Sequence, residues 1–347
     1  MFNWSDSAAA ADIYIDLGTA NTLVAVRGKG LIVNEPSVIA FREDSWGERE
    51  VIAVGAEAKE KIGRTPGSLV ASYPLRDGVI ADYSVTETML KYYLARPGIK
   101  RRWGKSRMVI SLPYGVTDVE KQAVIRAGRT AGAQEVFLID EPIAAAIGAG
   151  LPIESPRASM IIDIGGGTTE IAIIALCGIV HCQAVRIGGH KFDEAIINYF
   201  KKERNLSIGE QTAEKLKIRL GSATLEDQPL VDSVSGLECS TGLPKSIEVS
   251  SNEIYRALDP SLREIVTAIQ SAFESTPPES LSDIIDQGIL LSGGGALLRR
   301  LPERLTQETD LHVSLSETPL TTIALGGARV LERPDLLRRI QLSPHNH

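Results

Sequence analysis

Residues 159–173, SMIIDIGGGTTEIAI, repeat the pattern of residues 12–26, DIYIDLGTANTLVAV, and this repeat decides the fold. At one constant offset, Asp16 aligns with Asp163. Each copy reads as a short apolar strand, a tight polar turn and a second strand rich in β-branched residues. A further glycine-marked turn and another apolar segment follow each copy. The repeat predicts two homologous domains, each of which opens with a β-meander and continues into helices.

The turns of both hairpins have the residue types that bind phosphate. The run 165–167 is Gly-Gly-Gly, which leaves backbone N–H groups accessible and tolerates positive φ. Hydroxyl donors are predicted at Thr19, Thr22, Thr168 and Thr169. Asp16 and Asp163, each at the end of a strand, would repel phosphate unless a cation lies between, so the pattern predicts Mg²⁺ held partly through water. One copy alone is equally consistent with an ordinary turn, whereas two copies in register favour the phosphate site.

A third glycine-rich turn follows a predicted strand at 288–291, in the stretch 290–298, LLSGGGALL. A helix is predicted after it, and the N–H groups of its first turn could face a ligand. An ordinary turn between strand and helix explains this stretch equally well. The Walker A and Rossmann glycine motifs, which lead from a strand into a helix, are absent from the chain.

A carboxylate at the start of a helix is predicted in residues 137–148, FLIDEPIAAAIG. Pro142 fits the first helical position, which makes Glu141 the N-cap residue. Glu141 could serve only as a cap or could orient a water molecule, and both readings stay open at this point. The small residues that follow predict a close crossing with residues 321–328, TTIALGGA, and two such helices crossing between domains would form a hinge.

Composition limits the classes of function. The chain has 347 residues, 43% of them hydrophobic and 23% charged, which is typical of a globular protein with two domains. A net charge of −7 argues against nucleic acid as a partner. Three cysteines without a CxxC pair argue against disulfides. Cys177 and Cys182 lie in an apolar, strand-like run, which favours ordinary core cysteines over a metal site. We expect neither a secretory signal nor a membrane-spanning helix, because no apolar run approaches about 18 residues.

Residues 96–107, RPGIKRRWGKSR, contain six basic side chains, one tryptophan and no acid. This composition favours contact with an anionic membrane surface, where each basic residue contributes about 1 kcal/mol. A solvated loop and a nucleic-acid patch remain alternatives. The predicted membrane contacts are Phe2, Trp4, Ile99, Lys100, Arg101, Arg102, Trp103 and Lys105.

Several motifs together resemble the superfamily of actin, heat-shock chaperones and sugar kinases, and within it the MreB family of bacterial actin-like proteins. They are DLGTANT (16–22), PLRDGVIADY (74–83), DEPIAAAIGAG (140–150), DIGGGTTE (163–170), IGEQTAEKLK (208–217), STGLPK (240–245) and the stretch from TPPE (276–279) to GILLSGGGALLRR (288–300). The resemblance covers essentially the whole chain.

The resemblance implies an α/β fold: the actin-like two-domain ATPase fold, with duplicated ribonuclease-H-like halves around a cleft. The first domain would comprise residues 1–150 and 315–347, with a small insert at about 35–77. The second would comprise residues 151–314, with a small insert at about 191–257.

The resemblance also implies roles for individual residues. The first phosphate loop would be Asp16, Gly18, Thr19, Ala20 and Asn21, and the second Asp163, Gly165, Gly166, Gly167 and Thr168. Glu141 and Thr168 would orient the attacking water, while Asp16 and Asp163 would hold Mg²⁺ through water. Contacts with the nucleoside would come from Glu210, Glu214, Lys217, Gly293, Gly294, Gly295 and Ala296. From spacing alone, Glu214 and Lys217 are equally an i, i+3 surface pair.

The function that the resemblance implies is slow Mg²⁺-dependent ATP hydrolysis coupled to polymerisation. The filaments would lie at the inner face of the cytoplasmic membrane and, with cell-wall elongation proteins, organise wall synthesis and rod shape. The alternative is a non-polymerising ATPase of the same superfamily, either chaperone-like or a small-molecule kinase. Two residues depart from the family pattern, because Asp140 stands where Glu is expected and His190 where an acidic residue is expected.

Overall fold

The computed structural model describes residues 12–43, 49–61, 69–76, 79–80, 82–96, 99 and 106–342. The strands are β1 (Ile13–Leu17), β2 (Asn21–Val26), β3 (Gly30–Pro36), β4 (Ile39–Glu43), β5 (Arg49–Val54), β6 (Leu69–Ser72), β7 (Leu75–Arg76), β8 (Val79–Ile80), β9 (Arg107–Leu112), β10 (Glu135–Asp140), β11 (Ser159–Ile164), β12 (Thr169–Ala175), β13 (Gly178–Val185), β14 (Leu206–Ser207), β15 (Val231–Glu238), β16 (Pro244–Ser250), β17 (Ile289–Ser292) and β18 (Val313–Leu315).

The α-helices are α1 (Ala56–Lys61), α2 (Tyr83–Leu94), α3 (Asp118–Thr130), α4 (Glu141–Gly148), α5 (Gly189–Glu203), α6 (Glu210–Leu220), α7 (Ser251–Glu274), α8 (Pro278–Gln287), α9 (Leu301–Thr309), α10 (Thr322–Glu332) and α11 (Pro334–Ile340). A short 3₁₀ helix spans Gly294–Leu297. Among the helices of the described segments, none is both long enough and apolar enough to cross a bilayer.

The chain divides into two compact units. Unit 1 comprises residues up to 156, residues 174–179 and residues from 321 onward, and unit 2 comprises residues 157–173 and 180–320. The exact domain boundaries and the two small inserts implied by the family resemblance stay predictions.

The main sheet of unit 1 has the strand order β10-β9-β1-β2-β3. Strands β1 and β2 pair antiparallel, as the hairpin pattern predicts, while β1 pairs parallel with β9 and β9 with β10. Every residue of β1 is buried, because helices cover both faces of the sheet. Ile13, Ile15 and Leu17 face a core shared with α2 and α3, whereas Tyr14 and Asp16 point to the opposite face.

The main sheet of unit 2 repeats this architecture with the order β13-β12-β11-β17-β18. Strand β11 pairs parallel with β17, and β17 with β18, as β1, β9 and β10 do in unit 1. The predicted duplication is therefore confirmed at the level of strand order. Smaller sheets accompany each main sheet, β5-β4-β6 and β7-β8 in unit 1 and β14-β15-β16 in unit 2.

Helices α4 and α10 cross closely, as the small residues predict. A Cβ atom added at Gly326 would overlap the carbonyl oxygen of Ala144, and one added at Gly148 would overlap that of Thr322. Both helices belong to unit 1, so the expectation that this crossing joins two domains as a hinge is wrong. The crossing instead fixes α4 within one unit.

One predicted boundary is shifted. Helix α4 begins at Glu141 with Asp140 as its N-cap residue, one position earlier than predicted. Pro142 tolerates either position, because the first N–H groups of a helix have no intrahelical partner. The helix predicted after the third glycine-rich turn is present: the chain first forms the short 3₁₀ helix and then continues into α9.

The structure also corrects part of the predicted membrane segment. Ile99 is 1% exposed and packs in the core with α2, so it is not an anchor for lipid. Arg96 forms an ion pair with Glu35 at 2.6 Å, and Arg107 pairs with the buried Asp12. The other predicted contacts, Phe2, Trp4, Lys100, Arg101, Arg102, Trp103 and Lys105, lie outside the described residues.

Candidate functional site

In unit 1, the sheet brings Asp16 and Glu141 to one edge. Asp16 is opposite Ser111 in the parallel pairing of β1 with β9, and Ser111 is opposite Ile139 in the pairing of β9 with β10. The carboxyl ends of these three strands therefore meet at the same edge of the sheet, and α4 starts there with Glu141. Asp16 is 7% exposed and Glu141 is 8% exposed. Two carboxylates from distant parts of the sequence thus share one sheltered edge.

The first hairpin turn is tight. The N–H of Gly18 donates to the carbonyl of Asn21 at 3.1 Å, and a Cβ at Gly18 would lie 2.7 Å from that oxygen. Thr19 is buried and Ala20 is exposed. Thr22 was predicted as a hydroxyl donor to phosphate, but its hydroxyl is buried in a 2.8 Å hydrogen bond with the Ser37 hydroxyl.

Tyr14 and Ser111 lie beneath this edge and were not predicted as site residues. Tyr14 shares the sheet face of Asp16, and its ring packs so closely on Gly327 of α10 that no Cβ would fit there. Burial, reinforced by the charge of Asp16, raises the pKa of Tyr14 well above its usual value. The phenol is therefore neutral. The alternation of side chains along β1 could have indicated that Tyr14 accompanies Asp16.

Asp140, the residue before Glu141, has a carboxylate whose negative charge is disfavoured by burial. Burial raises the pKa of Asp140 to about 6, and the positive charge of Lys121 opposes the shift only in part. Its side chain makes no capping hydrogen bond to α4. At neutral pH the carboxylate is therefore ionised in a site that disfavours the charge.

We expect Asp140→Asn to raise the free energy of unfolding above pH 6 by about 1–3 kcal/mol. The folded pKa of about 6 exceeds the ordinary value of 3.8, so between these pH values the unfolded state releases its proton first. Stability is lost as pH rises through this window, and the asparagine variant avoids that loss. The difference between variant and wild type should vanish near pH 4 in urea unfolding. Asp118→Asn, at a carboxylate that is 63% exposed and also faces Lys121, is the control and should show no such profile.

In unit 2, Asp163 occupies the position equivalent to Asp16. It is 6% exposed, and Ser292 lies opposite it in the pairing of β11 with β17. Burial raises the pKa of Asp163 to about 6, and the nearby Ser292 hydroxyl lowers it slightly. One carboxylate oxygen, Oδ1, has no hydrogen-bond partner among the residues that the structure describes. A buried carboxylate with an unused oxygen suits a cation, directly or through water.

The second hairpin turn is held by helix α5. The N–H of Gly165 donates to the carbonyl of Thr168 at 2.8 Å, which closes the turn. The carbonyls of Gly165 and Gly166 accept hydrogen bonds from the N–H groups of Gly189 and His190, at 2.9 and 2.8 Å.

Helix α5 thus hydrogen bonds only to carbonyl groups of this turn, and not to its N–H groups. Within the described part of the chain, the N–H groups of Gly166 and Gly167 donate to no protein group. These donors are available to a ligand. The hydroxyl of Thr169, another predicted donor to phosphate, is instead buried and donates to the carbonyl of Ile187 at 2.7 Å.

The third glycine-rich turn packs directly against the second hairpin. Gly293 has a positive φ of 84°, and a side chain there would overlap the backbone of Ile164, the residue after Asp163. Gly295 approaches the Ile164 side chain equally closely. The structure therefore brings residues 293–296 beside Asp163, as the predicted site requires.

Helix α6 carries the remaining predicted residues. Glu210 is exposed and Glu214 is half-buried. Lys217 does not form the i, i+3 surface pair with Glu214, because its ammonium binds Asp193 at 2.9 Å and the carbonyl of Gly189 at 2.8 Å. Arg299, which follows the third turn, donates to the carbonyls of Leu220 and Gly221 at the end of α6, at 3.1 and 3.0 Å.

A family model, a relative of known name and a solved structure all match this chain along most of its length. The family model described as MreB/Mbl protein matches residues 10–339. The cell shape-determining protein MreB of Escherichia coli K12 is 48% identical over 327 residues, which are 94% of each chain. The structure of MreB5 of Spiroplasma citri bound to ADP has a TM-score of 0.89 at 34% identity and covers 95% of this chain and 98% of that one.

The likeness of fold extends further. The MamK double helical filament superposes with a TM-score of 0.77 over 93% of this chain and 99% of its own, at 23% identity, which supports the fold alone. The predicted fold class is confirmed by these matches. The duplicated sheets, the two aspartate hairpins and the match along nearly the whole sequence agree, and the chain belongs to the MreB/Mbl family, with the actin-like fold of that family.

Proposed function

We propose that this chain binds ATP with Mg²⁺, hydrolyses it slowly and polymerises into filaments that determine cell shape. The observation that carries the proposal is the aspartate-led, glycine-rich hairpin at the same place in two sheets of the same strand order. The relatives support it, since MreB5 of Spiroplasma citri has structures bound to ADP and to AMPPNP. The E. coli relative bears the name cell shape-determining protein.

The two hairpins are proposed to bind the phosphates of one ATP. The available N–H groups of Gly166 and Gly167, with the hydroxyls of Thr19 and Thr168, would donate to phosphate oxygens. Mg²⁺, when bound, would neutralise phosphate charge, and Asp16 and Asp163 would hold it through water. In the part of the chain that the structure describes, no group of three or more His, Cys, Asp or Glu side chains is arranged to hold a metal ion. Since Mg²⁺ gives up its water reluctantly, it would keep water and phosphate oxygens among its ligands.

Hydrolysis is proposed to proceed by in-line attack of water on the γ-phosphorus. A bond forms between the water oxygen and phosphorus while the bond to the β–γ bridging oxygen breaks, and ADP and phosphate leave. Glu141 would accept a hydrogen bond from the attacking water and, together with Thr168, orient it, and the water proton would pass finally to phosphate or solvent. Because α4 is fixed by its crossing with α10, the carboxylate is held on a rigid element.

The nucleoside is proposed to lie against the third turn and helix α6. Residues 293–296 pack beside the second hairpin, and Glu210 and Glu214 lie in the first part of α6. Small residues in the turn allow close approach of a flat base.

Pelleting tests polymerisation and separates it from the alternatives. With ATP and Mg²⁺, we expect most of the protein to sediment and to show filaments by electron microscopy, whereas protein in EDTA should stay in the supernatant. Binding and hydrolysis of ATP without sedimentation at any concentration would favour a non-polymerising ATPase. Phosphoryl transfer to a small molecule or ATP-dependent release of an unfolded peptide would identify the kinase-like or chaperone-like alternative.

The filaments are proposed to lie at the cytoplasmic face of the membrane, where cell-wall elongation proteins would be partners. The support is the basic segment, in which Lys100, Arg101, Arg102, Trp103 and Lys105 remain candidates after Ile99, Arg96 and Arg107 are assigned to the folded unit. Phe2 and Trp4 are further candidate anchors.

A variant that combines Trp103→Ala with glutamine at Lys100, Arg101 and Arg102 should bind anionic liposomes about 100-fold more weakly, since each basic residue contributes about 1 kcal/mol near such a surface. The measurement is co-sedimentation with vesicles of phosphatidylglycerol. Glutamine at the exposed Lys191, Lys201 and Lys202 removes the same charge elsewhere and should change little. Undiminished binding of the first variant would contradict the assignment.

A further inference from the structure

Two buried hydroxyl groups, on Tyr14 and Ser111, lie beneath the carboxylate edge of unit 1. Both residues are 0% exposed. Among the residues that the structure describes, neither the phenol oxygen of Tyr14 nor Oγ of Ser111 makes a hydrogen bond. A buried hydroxyl without a partner costs free energy, so in folded proteins it usually bonds to the protein or to an ordered water molecule. Two such donors in one place indicate a partner that the protein chain does not provide.

Strand geometry places the two hydroxyls close together, on the sheet face of Asp16. Ser111 is opposite Asp16 in the pairing of β1 with β9, and paired residues of neighbouring strands point to the same face. The flanking Ile110 and Leu112 belong to the core on the other face. The Ser111 hydroxyl is near enough to oppose, in part, the rise in the pKa of Tyr14 that burial causes. The two hydroxyls nevertheless do not meet in a direct hydrogen bond.

Two carboxylates lie within electrostatic reach of the Tyr14 phenol. The negative charges of Asp16 and Glu141 each raise the pKa of Tyr14 further. A phenol that stays neutral keeps its proton and can donate a hydrogen bond. A neutral O–H donor therefore lies near two charged acceptors, in a part of the unit that is sheltered from solvent.

Helix α10 fixes the position of the phenol ring. A Cβ built at Gly327 would lie 2.2 Å from three ring carbons of Tyr14, so the ring rests directly on the helix backbone. The neighbouring Gly326 is as close to α4, since a Cβ there would lie 1.8 Å from the carbonyl oxygen of Ala144. Helix α4 begins at Glu141. The phenol and the helix that carries Glu141 are thus both held against α10.

We propose that the hydroxyls of Tyr14 and Ser111 bind one buried water molecule, which donates a hydrogen bond to the Glu141 carboxylate and holds it in the orientation that hydrolysis requires. Water suits the site because one molecule can accept from both hydroxyls and still donate two hydrogen bonds, to Glu141 and to Asp16. Tyr14 and Ser111 are then positioning residues that do not touch the nucleotide. Their role in hydrolysis rests on the proposed function, whereas the water site itself does not.

Kinetic measurements test the positioning role. In Tyr14→Phe, which removes one oxygen and keeps the ring on Gly327, we expect kcat for ATP hydrolysis to fall about five- to tenfold, in line with the loss of one hydrogen bond. The KM for ATP and the affinity for AMPPNP should stay within about twofold, because ground-state binding is unchanged. Ser111→Ala should lower kcat in the same way. Since both hydroxyls hold the same water molecule, the double variant should be no slower than Tyr14→Phe.

Tyr93→Phe is the matched control. It removes the hydroxyl of another fully buried tyrosine of unit 1, which donates to the carbonyl of Pro36, and kcat should match wild type. A high-resolution crystal structure tests the water site without reference to ATP. We expect one water molecule within hydrogen-bond distance of both the Tyr14 and the Ser111 oxygens in the wild type, and its loss in the double variant.

Four results would overturn the proposal. They are a wild-type crystal structure without water at this place, wild-type kcat in Tyr14→Phe, a loss of AMPPNP affinity as large as the loss of kcat, and a double variant whose loss of kcat is the product of the two single losses. If the wild-type protein hydrolysed no ATP, the proposed function would fail, and with it the role of Tyr14 in hydrolysis. The crystal structure would still decide the water site.

Discussion

Glu141→Ala is expected to leave ATP affinity within about twofold and to lower the rate of phosphate release by about 100-fold. Glu141 stands at the first position of α4, at the edge of the sheet where Asp16 also lies, near the end of β1. A carboxylate on a rigid element can hold a water molecule in line for attack. In the proposed mechanism, removing it would take away an interaction of the transition state and leave the two hairpin turns intact.

The measurement is phosphate release at matched filament mass, so that a change in polymerisation is not mistaken for a change in chemistry. Glu141→Gln, which keeps the shape and can still hydrogen bond to water, should retain more activity than the alanine variant. Glu135→Ala is the matched control, since Glu135 begins strand β10 at its opposite end. Wild-type phosphate release by Glu141→Ala would remove this carboxylate from the mechanism.

Gly326→Ala is expected to lower the free energy of unfolding by about 3 kcal/mol or more, because overpacking between two backbones cannot relax by a change of rotamer. The added methyl group would overlap the carbonyl of Ala144 in α4, and Gly148 faces α10 just as closely. The two helices would have to separate. Since α4 carries Glu141, hydrolysis by the folded fraction should also fall.

Urea unfolding followed by circular dichroism measures this effect. Gly178→Ala is the control in the same unit, because a Cβ there would lie 3.7 Å from its nearest neighbour, the carbonyl oxygen of Ala175, which is an ordinary contact. We expect it to cost less than about 1 kcal/mol. If the two variants unfolded at the same urea concentration, the close crossing of α4 and α10 would not contribute to stability as described.

The hairpins could be predicted from sequence because their signal is local. The strand, turn and strand lie within 15 consecutive residues in each copy, and the buried run of β1 reads directly as apolar letters. The parallel neighbours could not be predicted in the same way. Asp16 meets Ser111 and Asp163 meets Ser292 only through pairings across long stretches of chain, and no local pattern specifies such partners.

Each sequence-based prediction that the structure corrects failed for a specific physical reason. A basic composition indicated membrane contact for residues 96–107, yet it could not show that Ile99 returns to the core. Thr22 and Thr169 have the right type and place for phosphate, but each has a buried acceptor or donor nearby that engages its hydroxyl. The partner of Lys217 lies 24 residues away on another helix, so helical spacing pointed to Glu214 instead of Asp193.

Calorimetric titration of the purified chain with ATP tests most directly the proposal that the two duplicated turns bind one triphosphate together with its metal ion. We predict saturable binding with Mg²⁺ present, weakened at least about tenfold by EDTA or by Asp163→Asn, which removes the carboxylate proposed to hold the cation. Absence of any Mg²⁺-dependent affinity for a purine nucleotide would contradict the account.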